Sequence, residues 1–276
     1  MVDNPRYLEF LEHESFGVTN GSMVNFAARG FVGKSIRAAS ALNDVPNPLG
    51  LTHSGIVFLE SPRTVWDIIY SLTPNGEDGK NDGLVSRKEG RAMLEKLQSY
   101  FGPELESDEK HPFLLESNGT AGQVIGGIYP HVQISPFLDA LKNYGGNVYI
   151  RPFLIPVPSD FIVNFVKEHM GRSYEKNPMD LIRSVNGFNR VERTGAVFCS
   201  EFVGMFYKSV IEVFPLSPLL SKENILEKFS NVSNLIPEYF CSSIEKDVLQ
   251  GIAGEDILLK HVEIFKDEEG GCCLLL

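Results

Sequence analysis

A chain of 276 residues is long enough for one large or two small domains with a real core. Its 43% hydrophobic and 22% charged residues are ordinary for a soluble globular protein, and no apolar run approaches the length needed to span a bilayer. The formal net charge of -11, with no basic run and no aromatic-basic interleaving, sets nucleic acid aside as a partner, because such binding runs on Lys and Arg neutralising phosphates.

Residues 1–16 read as a short helical lead. From Gly21 a strand-like GSMVNFA leads into FVGKSIRAASAL, which reads as a helix or helical turn, and NDVPNPLG is a turn cluster. THSGIVFLE is a short, nearly continuous apolar run and predicts a buried strand. Helical spacing follows twice, in Val65, Ile68, Ile69 and Leu72 and again in Met93, Leu94, Leu97 and Phe101. Strands resume with HPFLLES, HVQISPF and NVYIRPFLI, and SDFIVNFVKEHMG predicts an amphipathic helix ended by Gly171. After a polar stretch, VFCSEFVGMFY places Phe202, Phe206 and Val210 at every fourth residue, which predicts a helix beginning at about Cys199. SPLLSKENILEKFSN reads as helical and ILLKHVEIF as a last strand, before a polar and then short apolar tail. Several consecutive strands flanked by helices make an α+β chain.

The four cysteines are Cys199, Cys241, Cys272 and Cys273, in neither a disulfide framework nor a C-x-x-C zinc spacing. The N-terminus lacks the basic and apolar regions of a secretory signal, and Val2 stands where N-myristoylation requires glycine. The expected compartment is therefore a reducing cytosol, in which the sequons at Asn20, Asn118 and Asn231 carry no meaning.

Cys199 is the residue whose chemistry matters most. A thiol at a helix N-terminus meets the positive end of the helix dipole, which favours thiolate, and the free amides there can hold a developing oxyanion. A nucleophilic Cys also needs a base, commonly a His oriented by a third polar group. His53 opens a buried strand straight after a turn, and Glu116 ends the next strand; pairing of the two strands would bring them together, with the long insertion as a loop at the sheet's end. Glu60 lies along the same strand as His53, roughly 23 Å away if extended. Taken singly, a buried Cys reads as packing and a His at a strand start as a satisfied polar residue.

The order GSMV, THSGIVF, FLLES, VQISPFLDAL, NVYIRPF and VFCSEFVGMFY resembles the circularly permuted NlpC/P60 papain-like proteins. These include YiiX/YebB-like hydrolases, with the lecithin:retinol acyltransferase-like enzymes as distant relatives. The resemblance spans residues 17–212, with 61–110 as a helical insertion, 213–267 completing the core and 268–276 a flexible tail. It implies a permuted papain-like fold, an antiparallel sheet packed against helices. It also implies Cys199 as nucleophile, His53 as general base and Glu116 as the group orienting His53, with no cofactor required for catalysis. Ser22 stands where the family often has Asp, and is read as structural. Arg151 and Tyr174 sit where such proteins often place polar residues near the cleft, either as substrate contacts or as solvated surface side chains. Glu201 reads as a first-turn carboxylate favoured by the dipole rather than a catalyst.

Within the insertion, DGKNDGLVSRKE has the outline of a twelve-residue EF-hand calcium loop, with Asp78, Asp82, Leu84 through its carbonyl, Ser86 and Glu89 at ligand positions. Lys80 occupies the third position, where an oxygen ligand is expected, so the segment is either a Ca2+ site or a polar helix-to-helix turn. At the C-terminus, Cys273 followed by three leucines fits geranylgeranylation, and Cys272 is the candidate for palmitoylation as the second anchor. A geranylgeranyltransferase is then a partner, and the cytosolic face of a eukaryotic membrane is the expected location. The chain is then either encoded there or delivered by an intracellular bacterium. The expected function is a membrane-anchored thiol hydrolase or acyltransferase acting on an amide or acyl ester through a Cys thioester. The rival is a non-catalytic, membrane-tethered binding module, calcium-responsive through the insertion.

Overall fold

The computed structural model describes residues 18–28, 41, 46–73, 85, 87–118, 131–143, 146–174, 196–259, 264–266 and 272–274. The expected helices over residues 1–16 and 31–42 thus lie almost wholly outside the described residues. Eight strands form one sheet: β1 (Met23–Ala28), β2 (His53–Glu60), β3 (His111–Asn118), β4 (His131–Pro136), β5 (Gly146–Arg151), β6 (Ser173–Tyr174), β7 (Ala196–Val197) and β8 (Ile257–Leu259). Their spatial order is β7-β6-β4-β3-β2-β1-β5-β8. β1 to β4 run as an antiparallel meander, β5 returns to the free side of β1, and β8 extends that side. The sheet was expected to be antiparallel; it is mixed, because β6 and β7 pair in parallel.

Among the described residues six helices accompany it: α1 (Pro62–Leu72), α2 (Arg87–Phe101), α3 (Phe137–Asn143), α4 (Ser159–His169), α5 (Cys199–Val213) and α6 (Lys222–Lys228). Successive strand side chains point to opposite faces. Ile56, Phe58, Phe113, Leu115, Val132 and Ile134 turn to one face and form a buried cluster with α1, α2, α4 and α5. Val24, Phe26, Val57, Leu114, Val148 and Ile150 turn to the other, where Phe137 and Ala140 of α3 cover them. Both faces are therefore covered, which is why the strand segments read as nearly unbroken apolar runs.

The helices start and stop for local reasons. Ser61 caps α1, its Oγ accepting from the Thr64 amide at 3.2 Å, and Pro62 occupies the first turn, where its missing N–H costs nothing. α4 ends at the predicted place, because Gly171 takes a positive φ of 82°. α1 and α2 fall where helical spacing predicts them, but they join the sheet's core rather than hanging as a loop at its end. Val65, Ile68, Ile69, Met93, Leu94, Leu97 and Phe101 are buried in the same cluster as Ile56 and Phe113. α3 was not expected: HVQISPF reads as strand through Phe137, yet β4 stops at Pro136 and Phe137 begins a helix.

The expected last strand divides into β8 and β9 (Ile264–Lys266). Residues 272–274, expected to be flexible, form β10 (Cys272–Leu274), whose backbone pairs antiparallel with β9.

Arg151, at the end of β5, is 1% exposed, so it is not a solvated surface side chain, and its donors are taken up by internal partners rather than offered to a substrate. Its guanidinium forms a bidentate pair with Asp247 and donates to the carbonyls of Phe240 (2.9 Å) and Gly254 (2.7 Å). One side chain thus fastens residues 240–254 to the sheet. Removing one partner of such a pair leaves the other charge buried and unmatched, at about 3–5 kcal/mol. Arg151→Ala is expected to lower unfolding free energy in urea by that amount. Alkylation of Cys199 in the variant, under native conditions, should keep its wild-type pH profile.

Candidate active site

Cys199 is the first residue of α5 and is 6% exposed. Phe198 before it is extended (φ -74°, ψ 164°), which turns the chain from β7 into the helix. Three side chains hold this turn. Ser117 on β3 donates to the Val197 carbonyl at 2.8 Å, tying β7 down. Ser200 donates to the Leu235 carbonyl at 2.7 Å. Glu201, in the first turn, accepts from the Phe198 amide at 3.3 Å and from the Ser233 hydroxyl. Behind them Phe202, Val203, Phe206, Tyr207, Val210 and Ile211 are fully buried, so the helix cannot rotate its first residue away. Tyr207 also donates to the Gly21 carbonyl at 2.7 Å, and Ser22 accepts from the Thr19 amide at 2.9 Å, the structural role expected of it.

His53 opens β2, with its ring tilted against Phe26 at 5.3 Å and its side chain 15% exposed. The β2–β3 register decides what it meets. One step beyond the Ile56–Leu115 pair, Gly55 faces Glu116, and His53 lies two residues on, on the same face. A Cβ at position 55 would come within 2.7 Å of Leu114 Cδ1 and 3.4 Å of Glu116 Cβ. The bare backbone at Gly55 therefore lets Glu116 lean along the sheet towards His53. Glu116, fully buried, places Oε2 2.6 Å from His53 Nε2. Its Oε1 accepts from Gln133 Nε2 at 3.0 Å, Gln133 being its cross-strand partner on β4.

The Cys199 side chain acts on His53 from the start of α5. Burial works against the imidazolium, but the charge and hydrogen bond of Cys199, and then those of Glu116, outweigh it and raise His53 from 6.5 to about 10. His53 is thus a cation through the neutral range, held between two acidic groups. Cys241, the second free buried cysteine, has no such partner: burial pushes its thiol up, and Ser243 at 3.0 Å offsets this only in part.

Of the residues singled out from sequence, Cys199, His53 and Glu116 converge. Tyr174 on β6 pairs with Val197 and meets Phe198 edge-on at 6.0 Å, half-buried beside the helix start. Glu60 turns instead to the Ser61 amide at 2.9 Å. Asp78, Asp82, Leu84 and Ser86 lie outside the described residues, while Glu89 lies in the first turn of α2. Gln133 and Ser233 were missed; only the pairing of β3 with β4, and the return of the chain past α5, give them a role.

No protein-family model matches the chain, and no curated protein matches it in sequence.

The raised His53 fixes the sign of a pH effect. A cation favoured by the fold contributes stability that is fully present below about 6.5 and is lost as pH rises towards about 10. Ring NMR signals of His53 are expected to titrate in that upper range in the wild type and to move down in Glu116→Gln. Iodoacetamide should alkylate Cys199 at neutral pH faster than Cys241, and His53→Ala should abolish the difference.

Proposed function

We propose that this chain is a cysteine hydrolase or acyltransferase on a permuted papain-like core spanning about residues 17–212. The observation that carries the reading is the 2.6 Å pair of His53 with buried Glu116, with Cys199 acting on the same His53 from the first residue of a helix.

The chemistry follows from the charges. The Cys199 thiolate adds to an acyl carbonyl, and the resulting oxyanion faces the amides of the first turn of α5. His53 then gives its proton to the departing nitrogen or oxygen, the bond to that atom breaks, and a thioester remains on Cys199. Neutral His53 next takes a proton from water or an acceptor alcohol or amine, which attacks the thioester. Collapse of the second tetrahedral species returns thiolate and imidazolium. Glu116 keeps the Nε2 proton in place, so that Nδ1 does the transfer.

We place this chemistry at the cytosolic face of a membrane, with Cys273 as geranylgeranyl acceptor and Cys272 as palmitoylation site. In a transfer assay with labelled geranylgeranyl diphosphate and the matching transferase, the label should be lost in Cys273→Ser. Calcium at the 78–89 loop is a separate proposal; its support is the pair of flanking helices, α1 and α2.

The test of the catalytic reading is to trap the intermediate. After brief mixing with p-nitrophenyl butyrate and acid quench, mass spectrometry should find a butyryl thioester on the Cys199 peptide. His53→Ala should slow its formation roughly 10²–10⁴-fold. Labelling of Cys199 at equal rates in the wild type and in His53→Ala would sink the enzymatic reading in favour of a binding module.

A further inference from the structure

The geometry points to Gln133 as a positioning residue of this site, one that holds the Glu116 carboxylate aimed at His53. The inference rests on the reading of Cys199 as nucleophile and His53 as its base.

Gln133 is 1% exposed and stands directly across from Glu116 in the β3–β4 register. Its carboxamide donates from Nε2 to Glu116 Oε1 at 3.0 Å, while Oε2 of the same carboxylate holds His53. The sense of the amide is not open, since a carboxylate only accepts. Its other end, Oε1, is buried without a hydrogen-bond partner. Burying an unpaired carbonyl has a desolvation cost that an apolar side chain would avoid. Packing alone therefore does not account for Gln at this position; the donor end does.

The residue type also fits the task. A Lys or Arg here would neutralise Glu116 and cancel its field at His53, and an acid would repel it. An apolar residue would leave the Oε1 lone pairs without this donor. A carboxamide donates a hydrogen bond and adds no charge, so the negative charge of Glu116 stays available to the imidazolium. Hydrogen bonding to the charged form of a carboxyl favours that form. Among the described residues, the groups facing His53 are Cys199 from α5, Glu116 from β3 and the apolar ring of Phe26 from β1. On β4, His131 lies two residues from Gln133 and donates its Nδ1–H to the Val132 carbonyl at 2.7 Å.

Gln133 therefore acts on the thiol through two intermediaries, and its loss should change when Cys199 is charged rather than whether the protein folds. The test is the rate of iodoacetamide alkylation of Cys199 across pH, in the full chain, for wild type, Gln133→Met, Glu116→Ala and the double variant. Gln133→Met is expected to slow the reaction about tenfold at pH 6.5 and less than about twofold at pH 10, where thiolate is abundant regardless. In the Glu116→Ala background the same change should add nothing. Far-UV circular dichroism monitors folding. Should Gln133→Met fail to fold, Gln133→Asn keeps the amide but withdraws it by one methylene, and its profile should shift in the same direction. A profile for the position-133 variants that overlays wild type, or a full further loss without Glu116, overturns the inference. Indifference of wild-type Cys199 to His53→Ala would instead remove the nucleophile reading itself.

Discussion

The register between β2 and β3 is the constraint on which the site depends. It sets Glu116 opposite Gly55 and therefore one diagonal step from His53. A shift of one residue would turn Glu116 to the face of Ile56 and Leu115, inside an apolar cluster with no cation to meet. Register of this kind is strongly specified because both faces of the sheet are buried, and sliding the strand would move Val57 and Leu114 out of one core and into another. Hydrophobic packing thus aligns an acid and a base that packing alone would never favour.

The second half of the site comes from a different part of the chain, by a different force. α5 is buried along most of its length, and its first turn is fixed by Ser117, Ser200 and Glu201 before any substrate is present. Ser117 and Ser200 donate to backbone carbonyls rather than to Cys199, so the helix start is held without engaging the thiol. Glu201 is close in sequence to Cys199, yet its two oxygens accept from the Phe198 amide and the Ser233 hydroxyl.

What could be read from sequence divides along physical lines. Helix α5 was legible because Phe202, Phe206 and Val210 repeat at helical spacing, and β2 because HSGIVFLE is short, apolar and bounded by a turn. His53 and Glu116 were legible as strand ends. Gln133 was not, because every residue from His131 to Pro136 is buried, so no alternation reveals which side chains share a face. Arg151 misled for a similar reason. A charged residue after a strand reads as exposed until its partner is found, and Asp247 lies 96 residues further on. α3 escaped because Pro136 ends the strand without any polar turn cluster to mark the change.

The Arg151–Asp247 clamp has a consequence for how the protein meets alkaline conditions. The guanidinium is a cation that water hardly discharges, and although burial works against its charge, Asp247 outweighs this and holds the proton more firmly still. His53 gives up its proton near 10. Above that range the His53–Glu116 pair can lose its charge while Arg151 still binds residues 240–254 to the sheet. Two cations with separate titrations thus serve two parts of the fold, and one can discharge without loosening the other.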